Sequence, residues 1–233
     1  MFYVPEYDVT QRIVRFMQAV YGFMATALLF TAITAYYVGT SPTLINTLFY
    51  GPKSSMLLIA LLVAQIVLVI GITAAIRTLS FPVALTLFFV YAGLLGVTLS
   101  SIFIAYKLAS IYQTFFVAAA MFGGMSLYGY FTKADLTSVG NIAAMIVWGL
   151  MISMLINMWL QSSHMDMVIS FIGVIVFALL TAYDTQKIKL LGRQMLDDDE
   201  TVAKVAIVGA LTLYLDFINI FLFLLRFLGD RKK

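Results

Sequence analysis

No Asp, Glu, Lys or Arg occurs between Arg15 and Lys53, Lys53 and Arg77, Arg77 and Lys107, Lys107 and Lys133, or Asp135 and Asp166. A helix that crosses the hydrocarbon of a bilayer takes about 20 apolar residues. Each uncharged gap therefore holds one crossing. The pattern predicts helices near 16–38, 56–76, 81–106, 110–131 and 138–160, with two more near 167–190 and 205–227. Composition agrees: 63% of the residues are hydrophobic and 11% charged, where soluble domains carry roughly a quarter charged residues. The chain reads as an all-α integral membrane protein, a seven-helix bundle.

The polar segment 1–15 reads as an N-terminal tail, 16–228 as one transmembrane domain, and 229–233 as a basic C-terminal tail. The apolar stretch after Arg15 is longer than the roughly 7–15 residues of a signal-peptide core, so it reads as a retained first span. Connections are short, and any chemistry must sit inside the bundle or at its mouths. There is no Cys, which removes disulfides, thiolate catalysis and Cys-based metal sites. No basic patch interleaved with aromatics points to nucleic acid.

Basic residues set the orientation. With the N-terminus in the cytoplasm, inner segments hold Arg12, Arg15, Arg77, Lys133, Lys187, Lys189, Arg193 and Lys204, and outer loops hold Lys53 and Lys107. Seven crossings then put Arg226, Arg231, Lys232 and Lys233 outside, against that bias. The stretch 205–227 is nevertheless long enough to cross.

Small residues (Gly93, Gly96, Ala119, Ala120, Gly123, Gly124) are expected where helices approach closely. Gln65, Gln113, Asn141 and Asn157 are expected to bond between helices. His164 reads as a surface residue of a short loop, and the acidic run of Asp197, Asp198, Asp199 and Glu200 as a solvated one.

Two acids stand out, Asp184 in the sixth span and Asp216 in the seventh. An aspartate at a helix centre costs about 2.5–3.5 kcal/mol on insertion scales, and such residues mark function by default. Helical spacing places Ser170, Gly173, Thr181, Asp184 and Lys187 close to one stripe. Gly209, Thr212, Asp216, Asn219 and Arg226 form another, and polar stripes face a bundle interior. The two helices are consecutive and joined by a short loop, hence antiparallel neighbours. Spacing alone leaves open whether the acids meet. If they do, both cannot ionise cheaply in low dielectric, so they share a proton. Both ionised, they offer hard oxygens to a calcium-type cation. The bland alternative pairs each acid separately with Lys187, Arg77 or an Asn and leaves it a packing role.

The segments Thr181-Ala182-Tyr183-Asp184-Thr185-Gln186-Lys187-Ile188 and Leu211-Thr212-Leu213-Tyr214-Leu215-Asp216-Phe217-Ile218-Asn219-Ile220-Phe221 resemble the last two helices of the transmembrane Bax inhibitor motif family. Leu224-Leu225-Arg226-Phe227-Leu228-Gly229 continues the match. Thr98-Leu99-Ser100-Ser101-Ile102 and Met125-Ser126-Leu127-Tyr128-Gly129-Tyr130 are similar to its bacterial inner-membrane branch. The resemblance implies a seven-helix fold with the last helix central, a multi-pass place in the bacterial inner membrane, and a pH-sensitive calcium leak. It maps the family's paired aspartates onto Asp184 and Asp216, and a basic partner late in the second helix onto Arg77. Gln65 stands where some members carry an acid, which removes one cation ligand.

The expectation is a proton-gated, calcium-permeable channel without enzymatic activity. Asp184, Asp216 and Arg77 form its sensor and gate, with Thr181, Lys187, Thr212 and Asn219 as polar support. Calcium is a permeant or weakly held ion on Asp184 and Asp216, and no cofactor is expected. Partners are the lipid bilayer and calcium. In a second reading the chain is a regulatory scaffold for other membrane proteins such as quality-control proteases. An intramembrane aspartyl protease also needs two acids on adjacent helices, but it keeps Gly-x-Gly before the second one, where this chain has bulky Leu213-Tyr214-Leu215.

Overall fold

The computed structural model describes residues 6–194 and 199–232. In chain order the helices are α1 (Glu6–Thr40), α2 (Pro42–Ile45), which runs into a π-helical turn at Asn46–Tyr50, α3 (Ser54–Ala75) and α4 (Phe81–Leu99). Then follow α5 (Ile102–Ala105), α6 (Leu108–Phe131), α7 (Thr137–Leu160), α8 (Ser163–Gln194) and α9 (Asp199–Leu228). Among the described residues seven helical stretches are long and apolar enough to cross a membrane. They correspond one for one to the seven stretches read from the sequence. The protein is an all-α membrane bundle.

Local chemistry explains the boundaries. Pro82 occupies the first turn of α4, where its missing N–H is no loss. The third crossing breaks after α4 because Ser100 Oγ and Ser101 Oγ donate back to the carbonyls of Val97 and Thr98 at 2.6 and 3.0 Å, competing with the helix ladder. Helix α7 stops at Gln161, whose left-handed φ of 50° lets its N–H reach Asn157 O at 2.7 Å. The Asn157 side chain then accepts from Ser162 N at 3.1 Å and fixes the entry into α8.

Three helices outrun their expected spans. Helix α1 begins at Glu6, inside the segment read as a tail. Its polar residues continue the turn, and Ile13, Phe16, Met17 and Val20, at helical spacing, are buried. Helices α8 and α9 run on to Gln194 and from Asp199, so the loop between them is shorter than the sequence implied. Residues 1–5 of the tail, Asp197 and Asp198 of the acidic run, and Lys233 lie outside the described residues.

Burial sorts the crossings. Only 11% of the apolar window of α3 and 17% of that of α7 is enclosed, against 72% for α9. The exposed faces of α3 and α7 are rows of large apolar side chains such as Ile59, Ile66, Ile70, Met145, Ile152 and Trp159. Such surfaces are at rest only in lipid.

The backbone divides into two units, and each has its own packing. The first holds α1 to α5 and the part of α9 up to Tyr214. Here α1 lies along α4, and a Cβ added at Gly96 would come 2.7 Å from Thr31 O. Tyr214, fully buried, sets its hydroxyl 2.7 Å from Thr31 Oγ1, and its ring edge-on to Phe88 and Tyr91. Gln65 joins α3 to α4 by donating to Thr98 Oγ1 at 2.7 Å, the interhelical role expected of it. The second unit holds Tyr106 to Leu190 and α9 from Leu215 onward. In it Phe217 meets Phe115 and Phe122 with ring centroids 5.4 and 5.6 Å apart. Phe223 packs into the space left by Gly173, where a Cβ would come within 2.6 Å of its ring.

The small-residue expectation needs correcting at two positions. Gly96 is a close-approach glycine, but nothing lies within 4 Å of a Cβ placed on Gly123 or Gly124. The tight contact of α6 is one turn further on, where Gly129 abuts the carbonyl of Ala182. Gln113 and Asn141 are exposed and form no interhelical bond among the described residues.

Candidate functional site: a carboxylate pair in the last two helices

Asp184 lies on α8, ten residues or about 15 Å by helical rise from the helix C-terminus. Three contacts hold that stretch of α8 in the second unit. Gly129 admits the Ala182 backbone. Thr185, fully buried, shares a hydrogen bond of 3.0 Å with Ser126 Oγ of α6. Gln186 accepts from Leu136 N at 3.0 Å and donates to Ala134 O at 2.7 Å, clasping the turn before α7. One turn on, Lys189 donates to Tyr130 O at 2.6 Å with its ammonium 4.5 Å from the centre of that ring.

Asp216 lies on α9, beside Phe217 and its aromatic contacts, and is 5% exposed. Its carboxyl group comes within hydrogen-bonding reach of Asp184. One of its carboxyl oxygens, Oδ2, is buried and receives no N–H or O–H donor among the described residues. Asp184 is less enclosed, and the cation acting on it is Lys187, whose Nζ sits 5.6 Å from the centre of the Tyr183 ring. Two acids thus face each other in a poorly hydrated interior with one cation near the outer member. Both ionised, they repel strongly at low dielectric. One proton between them, or a bound cation, removes the repulsion.

The other sequence candidates fall elsewhere. Thr181, Thr212 and Asn219 each turn back on their own helix, donating to Phe177 O, Val208 O and Leu215 O at 2.8, 3.0 and 2.8 Å. Arg77 is exposed on the turn after α3, in the first unit, and forms no ion pair among the described residues. Among the described residues no three His, Cys, Asp or Glu side chains gather. The pair offers at most four carboxylate oxygens, fewer than the 6–8 that calcium takes. Backbone carbonyls or water would have to complete its shell.

A family model described as inhibitor of apoptosis-promoting Bax1 matches residues 13–233. The chain belongs to the Bax inhibitor family. The inner membrane protein YbhL of Escherichia coli is 49% identical over 93% of this chain and 92% of its own length. An uncharacterized protein of Borreliella burgdorferi is 43% identical over 94% and 93%. The uncharacterized protein RP147 of Rickettsia prowazekii is 41% identical over 94% and 90%. The match of this Bax inhibitor family member extends through all seven crossings, the two acidic helices included.

Residue-by-residue reading missed the frame around the pair. Ser126, Thr185 and Gln186 are ordinary polar residues whose partners come from a different helix or turn. The signal that could have found them is their place inside the two motifs that carried the resemblance.

Proposed function

We propose that this protein is a pH-sensitive, calcium-permeable leak channel of the bacterial inner membrane, with its N-terminus in the cytoplasm and the Asp184–Asp216 pair as its gate. The observation that carries the reading is the approach of the two buried carboxyl groups within hydrogen-bonding reach. Two buried acids that face each other must share a proton, take a cation or move apart. Each choice alters the fit of α9 against α8, and a packed interface answers in discrete steps. Proton occupancy of the pair then decides whether the last helix, central in this reading, closes the path. Lys187 stabilises the ionised form of Asp184. Arg77 serves as the alternative cation, taken up when the pair separates. The location follows the printed name of YbhL, and calcium follows the resemblance.

The test is ion flux in proteoliposomes as a function of pH, with calcium, potassium and sodium compared. The expected result is a calcium flux whose pH dependence disappears in Asp184→Asn and in Asp216→Asn. Unchanged pH dependence in both variants ends the proposal. Silent liposomes from protein that carries a stable membrane partner favour the scaffold reading. The same geometry would suit an aspartyl protease, but Leu213 and Tyr214 are fully buried bulk where a substrate backbone would need room, so the proposal is non-enzymatic. Cleavage of a reporter transmembrane peptide would reverse it.

A further inference from the structure

At the start of α8, the second unit carries an open cavity of about 640 Å³. Its polar lining includes Arg226, Arg231, Asp166, Asn157, Ser162 and Ser163. Its apolar lining includes Met154, Met158, Met167 and Phe227. Asp166 meets both guanidinium groups, Arg226 at 3.4 Å and Arg231 at 3.5 Å. Both contacts are long and single. A guanidinium has five N–H donors and pairs best in a two-pronged fork, so most donors of both arginines are unspent. Two Arg against one Asp leaves the wall at a formal charge of +1. The first turn of α8 adds the positive end of a 32-residue helix, with its Met165 and Asp166 N–H groups met by Ser162 Oγ and O.

Arg231 is held there. Lys107 N donates to Asp230 O at 3.0 Å, and Asp230 N donates to Ser110 Oγ at 2.9 Å. The Arg231 guanidinium lies 5.9 Å from the centre of the Tyr106 ring. The segment that the sequence suggested was a tail is thus fastened to the start of α6. The depth is also marked: Trp159, 85% exposed, and Leu160 stand at the end of α7 beside the cavity. Exposed Trp at a helix end is characteristic of the membrane–water interface.

We infer that this cavity binds the phosphate of an anionic phospholipid, with Arg226, Arg231 and the first turn of α8 on the headgroup and the methionine wall along the acyl chain. Basic donors and large apolar side chains lining one cavity at headgroup depth fit an amphiphile with a negative head. A free phosphate would use only the basic donors. Asp166 holds the two arginines in register while the cavity is empty of lipid and competes with the incoming anion.

The experiment is native mass spectrometry of the detergent-solubilised protein titrated with phosphatidylglycerol or phosphatidylcholine, repeated with inorganic phosphate as competitor. Retention of phosphatidylglycerol over phosphatidylcholine is expected, falling about tenfold in Arg231→Gln and in Arg226→Gln. Lys133→Gln, which removes an exposed cation of the same unit outside the cavity, should leave the preference unchanged. Asp166→Asn should raise retention, whereas a merely structural ion-pair cluster would lose it. Equal retention of both lipids, an unchanged preference in Arg231→Gln, or full displacement by inorganic phosphate would each overturn the inference. Arg231 is 65% exposed, so its variant keeps the test valid should Arg226→Gln fail to fold.

Discussion

Helix α8 carries one aspartate in its first turn and another well inside it, and the two are neutralised in opposite ways. Asp166, close to the membrane surface, is met by two arginines and the Asn157 amide, and its side chain is 30% exposed. Asp184, about 27 Å along the helix by its rise, is met by another acid, with Lys187 beside it. At the surface, water shares the work and fixed cations complete the match, so the first arrangement has one stable form. In the interior two like charges have no stable form without a third particle. The proposed response to protons or cations belongs at the second place, and the inferred lipid anchoring at the first.

The comparison breaks if the two aspartates behave alike. The largest effect expected is on the frame shared by the acidic end: Gly129→Leu forces a side chain against the Ala182 backbone, and overpacking of this kind costs about 1–3 kcal/mol or more. Loss of the cooperative unfolding transition in detergent checks it, and an unaltered transition would mean that the α6–α8 contact is loose. Next comes Asp216→Leu. Replacing one of two facing buried carboxyls by an apolar side chain of similar size removes the like-charge conflict and is expected to stabilise by about 1–3 kcal/mol while removing pH-dependent flux. Destabilisation would say that the acid is satisfied in a way the geometry does not reveal. Asp166→Ala should be milder, about 1 kcal/mol or less, and the loss should shrink in high salt, because its partners are exposed and screened.

The smallest effect lies outside the membrane, at Asp135. The Thr137 hydroxyl at 2.6 Å and the Thr137 N–H at 2.9 Å hold its carboxyl below the ordinary carboxylate range. A lowered value in the folded state means that the contribution is present above the unfolded value and is lost as pH falls through the folded one. Amide exchange in the first turn of α7 should quicken only on acidification, and Asp135→Asn should remove that dependence.

The contrast also marks what was legible in the sequence. Lipid tolerates so few charges that gaps between Lys, Arg, Asp and Glu located five crossings and long apolar stretches the other two, and the cost of a buried acid singled out Asp184 and Asp216. The meeting of these two was not legible. Helical rise measures depth from a loop, and it fixes relative height only if both helices start level. Nor was the glycine that matters: Gly123 and Gly124 form the more suggestive pair, yet the helix turns them to open space and gives the contact to Gly129. The basic cavity escaped because Asn157, Asp166, Arg226 and Arg231 come from separate segments, and the Arg231 pair forms only when the chain after α9 folds back onto the start of α6.

The central claim is that Asp184 and Asp216 titrate as one unit. Infrared difference spectroscopy of the protein in liposomes, following the protonated-carboxyl stretch through a pH series, measures this directly. The account predicts a carboxyl band that titrates over the same interval as the calcium flux, and that shifts when either aspartate alone is changed to Asn. Two acids that titrate independently, each indifferent to the loss of the other, would contradict it.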